Sequence, residues 1–202
     1  MQKIVCMDLE GVLVPEIWIN FAEKTKIEKL RLTTRDIADY DVLMQGRLEI
    51  LDQHNFTLED IQDVIREMDP LEGAKEFLDE LRSKSQLIIL SDTFTEFASP
   101  LMEKLGWPTL FCNSLVLDSN RKIVDYKLRQ KDGKYYAVQA LKGINYKVLA
   151  AGDSYNDLTM IKEADQGVLF RAPQQIIDDY SHLPSAVEYS DLMKIIDNFL
   201  MS

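Results

Sequence analysis

Four short segments carry side chains whose types and spacing can do chemistry. Asp8-Leu9-Glu10-Gly11 sets two carboxylates two residues apart behind an apolar run. Such a pair can hold one hard cation through oxygen ligands, and one member can serve as a nucleophile. Asp8 and Glu10 can equally be turn and helix-capping residues, because short acidic motifs are common. Gly152-Asp153-Ser154-Tyr155-Asn156-Asp157 again follows an apolar run, with a glycine that permits a close turn and two more carboxylates. Its plainer meaning is a capping turn that opens a helix at Leu158. Ser91-Asp92-Thr93 follows Leu87–Leu90. There a hydroxyl and the N–H groups of a following helix can hold phosphate oxygens, although Ser-Asp is also a standard helix N-cap. Lys127–Lys134 (KLRQKDGK) ordinarily means a solvated charged loop. Lys134, however, opens a helical pattern and can aim its ammonium at a bound anion.

The elements that must position these groups are legible from patterning. Lys3–Met7, Leu87–Leu90 and Val148–Ala151 are apolar on both faces and run into the acidic or hydroxyl segments, and Thr109–Cys112 and Gly167–Phe170 match them in length and composition. Such runs, separated by helical patterns, predict parallel strands buried between two helical layers. Glu72–Lys84 spaces Ala74, Phe77, Leu78 and Leu81 as a helix, and Tyr135–Leu141 and Leu158–Ala164 do likewise. Ser114–Tyr126 reads as a hairpin turning at Ser119-Asn120-Arg121. In an open sheet of this kind ligands bind at the carboxyl ends of the strands, which is where Asp8, Ser91 and Asp153 fall.

Residues 15–70 are too many for one crossover. Their helical patterns (IWINFAEKTKI, TTRDIADYDVLMQGRLEILDQH and TLEDIQDVIREM, with Thr57 as N-cap three residues before Asp60) predict a helical subdomain inserted after the first strand. The core domain is then residues 1–14 and 71–202, and the cap residues 15–70. The fold class expected is α/β, a doubly wound, mainly parallel sheet with an inserted helical cap.

With 202 residues, 46% hydrophobic and 28% charged, the chain has enough apolar mass for a sizeable core, which rules out wholesale disorder. Its formal charge of −11, from 23 Lys+Arg against 34 Asp+Glu, argues against nucleic acid as a partner. Cys6 and Cys112 are too few for a disulfide framework and lack metal-ligand spacing, so both are expected reduced and buried. No run approaches the ~18 apolar residues of a membrane span, nor is there a leader pattern, and a soluble cytoplasmic protein is expected. Trp18 and Phe21 read as packing residues, the eight methionines as core, and His54 and His182 as residues without a role.

Taken in order, the strand-end Asp-x-Glu, strand-end Ser, lysine and strand-end Gly-Asp-x-x-x-Asp resemble the haloacid dehalogenase superfamily of phosphotransferases over nearly the whole chain. DLEGVLVPEIW, LSDTF, LRQKD and AAGDSYND are similar to the phosphoserine phosphatase branch, and within it to bacterial members that also transfer the phosphoryl group to homoserine. One departure stands out: most of the superfamily has Asp where this chain has Glu10, and the extra methylene moves the acid/base carboxyl by about one bond length.

The resemblance implies a Rossmann-like fold and a set of roles. Asp8 is the nucleophile that becomes an aspartyl-phosphate, and Glu10 the acid and base. Magnesium is held by Asp8, Asp153 and the backbone carbonyl of Glu10. Ser91, Asp92 and Lys134 surround the phosphoryl group, with Asn156 toward the substrate and Asp157 in support. Glu16 meets the ammonium and Arg47 the carboxylate of L-phosphoserine; homoserine is a second substrate, and a homodimer is implied. The alternatives are a phosphatase for another small phosphomonoester and a phospho-receiver signalling module.

Overall fold

The computed structural model describes residues 1–34, 36, 37 and 39–202. Its strands are β1 (Gln2–Met7), β2 (Gln86–Phe94), β3 (Thr109–Leu117), β4 (Ile123–Lys127), β5 (Tyr146–Gly152), β6 (Gln166–Phe170) and β7 (Ser185–Ala186). They form one sheet in the order β4-β3-β2-β1-β5-β6-β7, in which only the β3–β4 pair is antiparallel. β1 is central, with Ile4 opposite both Gln86 and Val148. The strands are apolar on both faces because both are covered: Val5 and Met7 join one apolar cluster, Ile4 and Cys6 the other, in the two-residue period of a strand.

Helices α1 (Ile17–Thr25), α2 (Tyr40–Gln53) and α3 (Leu58–Glu67) lie between β1 and α4 (Ala74–Lys84) in the chain. They are followed by α5 (Thr95–Lys104), α6 (Gly133–Gly143), α7 (Leu158–Glu163), α8 (Gln174–Asp179) and α9 (Tyr189–Met201). In α9 the buried Leu192, Met193, Ile196 and Phe199 recur at helical spacing, and each such side chain contributes about 1.5–3 kcal/mol on burial. Among the described residues no helix is long and apolar enough to cross a membrane.

Three expectations are corrected. The strand expected at 109–112 and the first arm of the hairpin are one continuous strand, β3, whose register against β2 is interrupted between Leu90 and Phe94. Ser91-Asp92 is not a helix cap: β2 runs on through Ser91 to Phe94, and α5 starts only at Thr95, so no helix N-terminus begins at Ser91. The helix expected from Thr33 begins at Tyr40, where Asp39 accepts from the N–H groups of Asp41 and Val42; Arg35 and Ala38 of that expected helix lie outside the described residues. Thr57 and Asp60 form the reciprocal capping box that the sequence indicates.

The inserted helices share an apolar cluster with the sheet rather than packing only among themselves. The Trp18 ring meets Phe97 of α5 edge-on at 5.5 Å, and Phe21 meets Phe56 at 5.2 Å. The β3–β4 hairpin braces α2 through Lys122 to Asp52 (3.1 Å) and through Tyr126, whose hydroxyl donates to Asp41.

Cys6 is fully buried, whereas Cys112 is only half-buried, contrary to the expectation that both are interior. Burial pushes the Cys6 thiol up to about 12. A thiol free in the unfolded chain ionises near pH ~8.5, so above that pH the unfolded state sheds a proton that the folded state keeps. Stability contributed by this group is complete below that range and falls by about 1.4 kcal/mol per pH unit above it. Urea melts of the native protein and Cys6→Ala at neutral and alkaline pH check this; equal alkaline losses in both contradict it.

Candidate active site

The site is built from three adjacent strand ends. The Asp8 N–H bonds the Ala151 carbonyl at 3.0 Å, extending the β1–β5 ladder by one residue. Gly11 then turns the chain at φ +76°, where a Cβ would lie 2.5 Å from Asp153 Oδ2, so only glycine fits. At the neighbouring strand end a Cβ on Gly152 would come within 2.4 Å of Asp157 Cγ. These two glycines let the backbones close on the carboxylates that they present.

Lys134, in the first turn of α6, is buried and lies 2.9 Å from Asp8 Oδ1, 2.7 Å from Asp157 Oδ1 and 3.5 Å from Asp92 Oδ2. Burial pushes its ammonium down, but the carboxylates of Asp157, Asp8 and Asp92 outweigh that and hold it well above the usual lysine range. Asp157 is fully buried, and its Oδ2 accepts from the N–H groups of Asp153 (3.0 Å) and Ser154 (3.1 Å). It therefore fixes the turn that carries Asp153.

Asp8, Asp153 and Asp157 are all buried, and each offers an oxygen within 4.8 Å of the others. Burial pushes the Asp8 carboxyl well above its usual range, Asp157 raises it further, Lys134 opposes this, and Asp153 raises it again. Three buried carboxylates thus face one buried ammonium, an imbalance that a divalent cation with all-oxygen ligands corrects. The residues fit magnesium by donor chemistry. The trio differs from the expected ligand set in bringing Asp157 alongside Asp8 and Asp153.

Glu10 takes a different environment. Its Oε2 accepts the Ile17 N–H at 2.9 Å, at the first turn of α1. Burial raises this carboxyl, while the Ile17 N–H, the Thr93 and Glu16 side chains and the Arg47 charge pull it down; it stays above its ordinary value. A carboxyl so placed can hold and release a proton nearer neutrality than an exposed one. Thr93 also ties Glu10 to Ser91, because its N–H donates to Ser91 Oγ at 3.2 Å.

Arg47 of α2 is buried. Its guanidinium lies 4.5 Å over the Trp18 ring and its Nη2 donates to the Leu32 carbonyl at 2.8 Å. Burial pushes it down to about 10, against the charges of Tyr40, Glu10 and Glu16. Among the described residues its Nε is the buried side-chain polar atom without a hydrogen-bond partner. Trp18, expected only to pack, therefore packs and also carries Arg47.

One cavity of about 730 Å³ is lined by Asp8, Glu10, Glu16, Arg47, Ser91, Asp92, Lys134, Asp153 and Asn156. The structure thus gathers every sequence-selected residue except Asp157, which stands behind this wall holding Lys134 and Asp153. Asp92 is tied to Lys134 and, through the Asn156 amide at 3.0 Å, to Asn156. Its carboxylate thus braces those two groups. Tyr40, Thr93 and Arg171 also line the cavity and were not selected from sequence. The signal for Arg171 was present: it follows Phe170 directly at the end of a recognised strand. His54 stacks on Phe56 and His182 lies against Tyr180, both away from the cavity wall.

A family profile described as haloacid dehalogenase-like hydrolase matches residues 2–165. The chain is 57% identical to a phosphoserine phosphatase of Pseudomonas syringae, over 95% of this chain and 81% of that protein. It is equally 57% identical to the phosphoserine phosphatase ThrH of Pseudomonas aeruginosa, over 95% and 94% of the two chains. A solved structure described as a phospho-aspartyl intermediate analogue of phosphoserine phosphatase superposes with a TM-score of 0.78 at 19% identity, covering 96% of this chain and 98% of that one, which shows a shared fold. The chain therefore belongs to the haloacid dehalogenase-like hydrolases, on the branch that holds the phosphoserine phosphatases.

Proposed function

We propose that the protein is a magnesium-dependent phosphoserine phosphatase that also passes the phosphoryl group from L-phosphoserine to homoserine. The observation that carries this reading is one cavity joining the carboxylate cluster of Asp8 to the unpartnered Nε of buried Arg47. The two Pseudomonas relatives, each 57% identical, are named phosphoserine phosphatases, which supports the phosphatase part of this reading.

Magnesium, held by Asp8, Asp153 and the carbonyl of Glu10 with Asp157 adjoining, would supply positive charge that lowers repulsion between a phosphate dianion and the carboxylates. Asp8 Oδ attacks phosphorus, the bond to the serine oxygen breaks, and Glu10 gives its proton to that oxygen. Ser91 Oγ, which accepts from the Thr93 N–H, donates its own proton to a phosphoryl oxygen. Lys134 holds Asp8 in line and neutralises charge as it shifts. Glu10 then takes a proton from water or from the homoserine hydroxyl, and that oxygen attacks phosphorus and frees Asp8. Glu16 meets the substrate ammonium and Arg47 its carboxylate, a planar match for a guanidinium. Residues 15–70 act as a cap over the core of residues 1–14 and 71–202.

Incubation with L-phosphoserine and magnesium, with and without homoserine, tests the proposal. Many turnovers of phosphate release are expected, with phosphohomoserine formed when homoserine is present. A single stoichiometric phosphorylation indicates a receiver module instead. Losing a buried charge-to-charge contact costs about 2–5 kcal/mol. Arg47→Ala should accordingly raise KM for phosphoserine on the order of 100-fold while leaving that for phenyl phosphate nearly unchanged. Equal effects on both substrates would remove Arg47 from amino-acid recognition.

A further inference from the structure

Arg171, like Arg47, lines the cavity with a guanidinium held by a backbone carbonyl and an aromatic ring. Its Nε donates to a backbone carbonyl, that of Val187, at 3.0 Å. Its guanidinium lies 4.5 Å from the centre of the Tyr189 ring and 5.0 Å from that of Phe170. No carboxylate among the described residues forms an ion pair with it, in a chain with an excess of eleven negative charges. The platform is rigid: Tyr189 also stacks on Phe77 at 4.9 Å, and its hydroxyl donates to the Val12 carbonyl at 2.6 Å. The Arg171 N–H is held by the Ala186 carbonyl at 2.9 Å, and its φ of +56° is a conformation that glycine or asparagine would adopt more readily. A cation is thus fixed by carbonyl and aromatic contacts that leave its charge unneutralised.

Its place in the sheet says what it faces. Arg47 enters from the inserted helices, which pack on α5 and on the hairpin. Arg171 enters from the end of β6, beyond β5, level with the strand ends that carry Asp8 and Asp153. It lines the same cavity as Asp153, Asn156 and Pro173. β5 and β6 pair as far as Gly152 opposite Leu169, so Arg171 stands at the same sheet edge as Asp153, the edge that a phosphate must reach to meet Asp8. Lys134 cannot serve there, because three carboxylates already engage it.

We propose that Arg171 binds the phosphate group of substrate and product within this cavity, offsetting the acidic field along the route to and from Asp8. This rests on the phosphomonoesterase reading above but not on the identity of the alcohol. A charge of this kind raises association rates by roughly 10-fold or more, and does so less at high salt.

The test compares the native enzyme, Arg171→Gln and Arg171→Lys with magnesium, using L-phosphoserine and phenyl phosphate, and inorganic phosphate as inhibitor. Arg171→Gln should lower kcat/KM about 10-fold for both substrates alike, weaken phosphate inhibition and flatten the salt dependence. Arg171→Lys, which keeps the charge, should recover most of the loss. Unchanged kcat/KM in Arg171→Gln overturns the proposal. So does a loss confined to phosphoserine, or one that Arg171→Lys shares in full together with a lowered melting temperature. If the native enzyme turns over phenyl phosphate but not phosphoserine, the amino-acid assignment fails while the Arg171 comparison still reads out.

Discussion

Asp8→Asn should abolish turnover of L-phosphoserine, by a factor on the order of 10⁴–10⁶, without loss of the fold. The amide is nearly isosteric but cannot open a covalent route to phosphorus. Its effect on stability should run the other way from its effect on rate. Burial and the facing Asp157 and Asp153 carboxylates hold the Asp8 carboxyl well above its usual range. The folded state therefore binds this proton more tightly than the unfolded chain, and ionising Asp8 as pH rises through its folded value costs stability. A neutral amide removes that cost, while Lys134 keeps its 2.7 Å contact with Asp157. Without magnesium, the Asp8→Asn protein should melt no lower than the native enzyme at neutral pH, and magnesium should raise its melting temperature less. Phosphate release and thermal melts with and without the metal decide both points; residual activity within tenfold of native would displace Asp8 from the nucleophile's role.

Lys134→Ala carries the largest expected cost to the fold. Lys134 is the ammonium buried among Asp8 and Asp157, with Asp153 adjoining. Removing one partner of a buried ion pair strands the remaining charges and typically costs about 3–5 kcal/mol. Because the stranded charges repel one another, the effects should be non-additive: Asp8→Asn should stabilise the Lys134→Ala protein by more than it stabilises the native one. Urea denaturation of the two single variants and the double variant measures this, and simple addition of the single effects contradicts it. Turnover should fall in both lysine variants.

Much of the arrangement was legible in the chain because its signals are local. Apolar runs that end in Asp8, Ser91 and Asp153 mark parallel strands, and the strand-end rule then collects those residues at one edge. The Thr57–Asp60 box could be read for the same reason, since both its bonds close within three residues. Ser91-Asp92 misled because its sequence suits a cap, while β2 runs on through it and pairs with β3 again at Phe94, opposite Asn113. The start of α2 was placed early because helical spacing continues back to Thr33, and Asp39 decides the boundary through its own side chain.

Residue type and order alone thus determined the parallel strands, the helical insertion and the acidic, hydroxyl and basic groups at one edge. Tertiary structure alone decided how those charges are shared. Lys134 proves to be bound among Asp8, Asp157 and Asp92, the Asp92 carboxylate is tied to Lys134 and Asn156, and Trp18 supports a guanidinium. It also brings Tyr189 beneath Val12 and Arg171 across 177 and 18 positions respectively. Those relations depend on burial and on distances of a few ångströms between segments far apart in the chain, and neither quantity is written in residue order.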